Sequence, residues 1–228
     1  MQLRSVLFRF AFVFFSLPLP SAFPNAIPRI NKHDIEAFAT AGENPQSVSL
    51  PYNETKDIED LIRSFICRLK EFVSDTYFDV RQFETAMKPL GKDFDQITSL
   101  ALRYTKRNAV LSRHLRFATD FFRVMELATD ELKQYSDSGS IEESLVYRMV
   151  DLNVRVLGMF NSYGFLDREM EDYADKLFDF WAYMRRLKLH FRFLHHVPVC
   201  IQSVFAEEAS QAEDIIEKLW TEVSESEY

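Results

Sequence analysis

Between Leu166 and Val197, apolar residues recur at alternating steps of four and three: Leu166, Met170, Tyr173, Leu177, Phe180, Met184, Leu187, Phe191 and Leu194. A helix brings such positions onto one stripe, whereas a strand would divide them between two faces. The segment therefore predicts a long helix whose seam must be covered by neighbouring helices, as in a coiled coil or bundle. Asp167, Glu169, Glu171 and Asp172 open it, and Arg185, Arg186, Lys188 and Arg192 close it. Each group suits the dipole at its end. Further apolar residues, Phe178, Trp181, Leu189 and Phe193, spread around the circumference, which predicts that this helix is central.

Similar stripes fill the rest of the chain. Ile58, Ile62, Phe65, Leu69 and Phe72 predict a helix from about Lys56 to Tyr77. A short one follows over Val80 to Met87, stopped by Pro89 and Gly91. From Asp93 to Leu132 one seam runs through Phe94, Ile97, Ala101, Tyr104, Leu111, Leu115, Ala118, Phe122, Met125 and Leu132. It reads either as one helix about 60 Å long or as two broken near Asn108. Ser140 and Glu143 form a capping box for the next helix, whose core face runs from Leu145 to Tyr163 before Gly164. The short gap to the Leu166 helix predicts an antiparallel hairpin. Pro198 ends that helix, and a last one from Val199 to Val223 carries Phe205, Ala209, Ala212, Ile216, Leu219 and Val223 beneath an acidic surface. The expected fold class is all-α: an elongated multi-helix bundle with coiled-coil-like seams, about five long helices plus one short.

The first residues read differently. Arg4 and Arg9, then the apolar run Phe10–Phe15 and the small residues Ser21 and Ala22, resemble a secretory signal over residues 1–22. Residues 23–54, with Pro24, Pro28, Pro45 and Pro51, read as a flexible linker, and residues 55–228 as the helical domain. A secreted, extracellular location follows as an expectation. Asn53-Glu54-Thr55 is a glycosylation sequon, placed by this reading in a loop ahead of the first helix. The two cysteines, Cys67 and Cys200, are candidates for a disulfide in an oxidising compartment, although each lies off the apolar stripe of its own helix.

Removal of residues 1–22 takes away Arg4 and Arg9 and no acids, moving the net charge from −8 to −10. Such a balance argues against nucleic acid as a partner and against generic attraction to anionic membranes. No later apolar run is free of charges at helical spacing, so stable membrane insertion is not expected. The chain contains no Gly-rich phosphate loop, nucleophile elbow, His-Glu-x-x-His pair or Cys-x-x-Cys. The expectation is a non-enzymatic protein without a cofactor or metal. His190, His195 and His196 are spaced five and one apart, unlike helix-borne ligands, and suit a helix C-terminus instead.

Two arrangements remain as candidate sites. Arg103, Lys106, Arg107, Arg113 and Arg116, with Arg185, Arg186, Lys188 and Arg192, would form a cationic patch if their helices packed side by side. Met125, Phe160, Phe180, Trp181 and Met184 could line an apolar cavity, or else fill an ordinary core. The leading expectation is a secreted helical protein that binds a protein or glycan partner or associates with itself. The alternative is an extracellular carrier of a fatty acid or similar apolar ligand.

Overall fold

The computed structural model describes residues 52–137 and 139–224. They form six helices: α1 (Tyr52–Lys70), α2 (Val80–Thr105), α3 (Ala109–Ser136), α4 (Ile141–Leu157), α5 (Tyr173–Arg192) and α6 (Val199–Ser224). Helices α1, α2 and α3 pack pairwise into one triangle, and α4, α5 and α6 into another, with the α3–α4 contact joining the two. One hydrophobic core runs through both. The fold is thus an all-α bundle. The signal-like residues 1–22 and the linker up to residue 51 lie outside the described residues.

The core of the first triangle contains a phenylalanine cluster. Phe65 stacks on Phe94 at 4.9 Å between centroids, and Phe122 meets Phe65, Phe83 and Phe94 at 5.7, 6.1 and 5.7 Å. Helix α2 does not stop at Met87. It continues through Pro89 and Gly91 because Phe83, Leu90, Ile97 and Ala101 keep one buried stripe on either side of the proline. An interior proline costs a helix roughly 3 kcal/mol, a loss the continuous packed stripe offsets. The long seam does break, at Asn108: its Oδ1 accepts from the Leu111 N–H at 3.0 Å, and its Nδ2 donates to Glu59 on α1 at 3.3 Å. Ending α2 there lets α3 turn back and pack against it.

Helix α1 ends at Lys70, seven residues short of the expected Tyr77. The following turn is closed by a Val73–Phe78 bridge and fastened to α4 where the Phe78 N–H donates to Asp151 Oδ1 at 2.8 Å. The α1 helix also begins earlier than expected, so the backbone of Asn53 is helical, not loop.

Ser140 caps α4 as expected, accepting from the Glu143 N–H at 3.1 Å. The helix then ends at Leu157, and Gly164 belongs to the loop beyond, with φ +76° and Phe117 so near that a Cβ would sit 3.1 Å from its ring. Residues Leu166–Asp172 are not helical. Leu166 pairs in a bridge with Phe160, and Asp167 forms a 3.0 Å ion pair with Lys70. Asp175 is the only acid left in the first turn of α5. Helices α4 and α5 do pack together, but the expected short connection is replaced by a loop that reaches across to the end of α1.

The largest correction concerns which helix is central. In α4, Leu145, Val146, Met149 and the unbroken run Val150–Val154 are buried, with Val156 and Leu157. A run of adjacent buried residues means burial all around the helix. Helix α5 buries only Leu177, Phe180, Met184 and Leu187, one narrow stripe facing α4 and α6.

Candidate binding surface

The side of α5 turned away from α4 and α6 carries the extra apolar residues. Phe178, Trp181 and Leu189 are 54%, 39% and 51% exposed, and Phe193 at the C-cap is 70% exposed. Single exposed apolar residues are ordinary, but a contiguous patch is not. Here Phe178 and Trp181 lie in contact, 5.8 Å between centroids, and the Arg185 guanidinium sits 5.6 Å above the Trp181 ring. Beside them, Arg186 lies over Tyr183 at 5.8 Å. Stacked cations of this kind order the aromatic rings while leaving their outer faces free. Near its C-terminal end the surface opens into a groove of about 580 Å³, lined among others by Ile141, Leu145 and Arg148 of α4 and by His190, Phe193 and Leu194.

The nine basic residues do not unite into one patch, because α3 and α5 belong to different triangles and do not pack together. Arg103, Lys106 and Arg107 are exposed around the α2–α3 break. Arg113 covers Phe165, and Arg116 pairs with Asp120 on its own helix at 3.8 Å. Lys188 is held by Glu213 of α6 at 2.6 Å, whereas Arg185, Arg186 and Arg192 project from α5. His114, within the α3 basic stretch, is buried with neither ring nitrogen partnered. Burial lowers its pKa, against the pull of Glu59, and Arg63 and Arg113 lower it further, so the ring is neutral.

The five suggested cavity residues also separate. Met125 of α3 and Phe160 lie in the core, Phe180 and Met184 face inward from α5, and Trp181 points out. Cys67 and Cys200 are free and exposed, and α1 and α6, which carry them, do not pack together, so the intrachain disulfide is not formed. His190 lines the groove while His195 and His196 are exposed in the α5–α6 turn; among the described residues no group of His, Cys, Asp or Glu is placed to hold a metal ion.

One feature escaped the stripes. Glu208 of α6 is 3% exposed, and Asn153 of α4 donates to both its Oε2, at 2.7 Å, and its backbone carbonyl, at 3.0 Å. Burial, reinforced by Glu131, pushes the Glu208 pKa up to about 8 despite the Asn153 hydrogen bond. Glu131 of α3 rises to about 7, by burial first and then by Glu207 and Asp130. Glu208 thus holds its proton at neutral pH, and its hydrogen bonds with Asn153 fasten α4 to α6; Glu131 Oε2 is buried without a hydrogen-bond partner among the described residues. A signal was present: Glu208 stands three residues after Phe205 and four before Ala212, on the buried stripe itself.

No family model, no curated protein and no solved structure matches the chain.

Proposed function

We propose that this chain is a secreted, non-enzymatic helical protein that works by binding a macromolecule through the outer face of α5. The observation that carries the reading is the set of exposed apolar residues Phe178, Trp181 and Leu189 on one face of α5, with Phe178 and Trp181 in ring contact and Arg185 stacked on Trp181. Rigid aromatic rings and arginine are the residues that concentrate binding energy at protein interfaces. They cost the monomer apolar exposure that its own core does not require. The mixed aromatic and cationic character suits a protein surface bearing carboxylates and apolar side chains. The apolar-carrier reading has less support, since Trp181, one of the five residues suggested for the cavity, is exposed.

A photo-crosslinking residue placed at position 181 of the full chain, expressed in eukaryotic cells, tests the reading. Position 102 on α2, also an exposed apolar site, serves as the control. Adducts are expected at position 181 and not at 102. Absence of adducts at 181, or equal yield at both positions, would refute the α5 face as the binding surface.

A further inference from the structure

We propose that the groove between the start of α4 and the end of α5 binds a small carboxylic acid with an apolar body. The site goes beyond the reading of the outer α5 face: the groove adjoins that face, but α4 supplies much of its wall. Its volume of about 580 Å³ falls within the roughly 300–1,000 Å³ of small-molecule sites. The lining divides by chemistry. Ile141 and Leu145 of α4, with Phe193 and Leu194 at the end of α5, supply apolar surface, and Arg148 and His190 supply donors. Leu145 is only 4% exposed and belongs to the core, whereas Ile141 and Phe193 are 66% and 70% exposed. The groove thus has an apolar floor and apolar rims that the chain itself leaves uncovered.

The donors fix the charge of the occupant. Elsewhere on α4 and α5 the cations are engaged within the chain: Arg155 pairs with Asp151, Lys188 with Glu213, and Arg185 lies on Trp181. The Arg148 and His190 side chains make no ion pair or hydrogen bond among the described residues, and neither does the Ser144 hydroxyl beside them. No Asp or Glu lines the groove. In a chain of net charge −8, this groove therefore selects an anion over a cation. A guanidinium matches a carboxylate with two parallel N–H bonds, and the carboxylate oxygens can still accept from an imidazole N–H or a hydroxyl. One guanidinium balances one negative charge, which favours a carboxylate over a doubly charged phosphate. A bare carboxylate would leave Leu145, Leu194 and the two rims in water, so the acid carries an apolar body that covers them.

Calorimetric titration of the full chain with decanoate, kept below its micelle-forming concentration, tests the site beside neutral decanol and cationic decylamine. Decanoate should bind at one molecule per chain, decanol more weakly, and decylamine weakest. Arg148→Glu should weaken decanoate by about 10-fold or more, the loss of a charge-assisted hydrogen bond, with little effect on decanol. Phe193→Ser should weaken both. Lys92→Glu, on α2 and outside the groove, should change neither. All three positions are exposed, and circular-dichroism melts establish that each variant folds. Absence of saturable decanoate binding, decylamine bound as tightly as decanoate, or an unchanged decanoate affinity in Arg148→Glu would each overturn the proposal. So would a leucine-ended peptide that binds more tightly than decanoate, because the groove would then be a peptide site. The crosslinking at position 181 reads the other surface: adducts there without decanoate binding would remove this site alone, and decanoate binding without adducts would retain it while removing the outer face.

Discussion

Helices α4 and α5 pack against each other, yet they solve opposite problems. Helix α4 has 17 residues and buries ten of them, including two polar ones, Asp151 and Asn153, on every side of its C-terminal half. Both make hydrogen bonds inside the chain: Asp151 accepts the Phe78 N–H and pairs with Arg155, and the Asn153 Nδ2 donates to Glu208. Helix α5 is longer, at 20 residues, richer in aromatic rings, and buries only one stripe. Of its remaining rings, Trp181 and Tyr183 carry stacked arginines, Phe178 leans on Trp181, and Phe191 stacks on Phe205 of α6. The difference teaches that polar groups can belong to the most buried helix and aromatic rings to the outer face of a neighbour that buries a single stripe. Asp151 and Asn153 are accommodated inside because each makes hydrogen bonds within the chain.

Truncation at the centre of α4 should produce the largest effect. Leu152→Ala removes a fully buried side chain and should cost about 2–5 kcal/mol in urea unfolding. A cost below about 1 kcal/mol would break the claim that α4 is the central helix.

Asp151→Ala comes next. It strands the Phe78 N–H and leaves Arg155, whose guanidinium lies over Phe180 and Tyr183 of α5, without its carboxylate. Loss of one partner of so enclosed a pair should cost on the order of 3 kcal/mol. Asp151→Asn, which keeps an acceptor for Phe78, should recover part of that loss.

The acid between α4 and α6 sharpens the contrast through pH. Glu208 ionises near 4.5 when unperturbed and near 8 in the fold. Between those values the unfolded chain has released this proton and the folded chain retains it, so stability falls as pH rises through the window. Glu208→Gln cannot ionise and still offers Asn153 an acceptor. Its stability should match the parent near pH 4 and exceed it at pH 8, with a shallower slope between; Glu131 leaves a residual slope up to about 7. Urea midpoints across that range check the sign, and identical slopes for parent and variant would contradict the buried-acid account.

Leu189→Ala on the outer face of α5 should change stability by no more than about 0.5 kcal/mol, although it touches an apolar residue of the same type as Leu152. Smallest of all, labelling of Cys67 and Cys200 in the folded chain should proceed to two thiols per chain without shifting the melt.

Much of this fold was readable from spacing. Every expected core position of α6, from Phe205 to Val223, is buried, because periodicity directly encodes which face a helix must cover. The inner stripe of α5 likewise faces α4 and α6. Centrality was not readable, since counting apolar residues cannot separate those that meet a neighbour from those left outside. Pro89 misled for a related reason: a local breaker lost to the Phe83–Leu90–Ile97 stripe around it. The Glu131 and Glu208 pair was hidden by type, because acidic residues invite a surface reading even when their spacing places them in the seam. Of the candidate surface, Phe178, Trp181 and Leu189 were identifiable as residues off the stripe. That they form one cation-stacked surface required the positions of Arg185 and Arg186.

Radical footprinting of the full chain in dilute solution tests the central claim most directly. Phe178, Trp181 and Leu189 should label rapidly, as Leu102 on α2 does, while Leu152 at the centre of α4 stays protected. Protection of the three α5 residues, or labelling of Leu152 as rapid as theirs, would contradict the account.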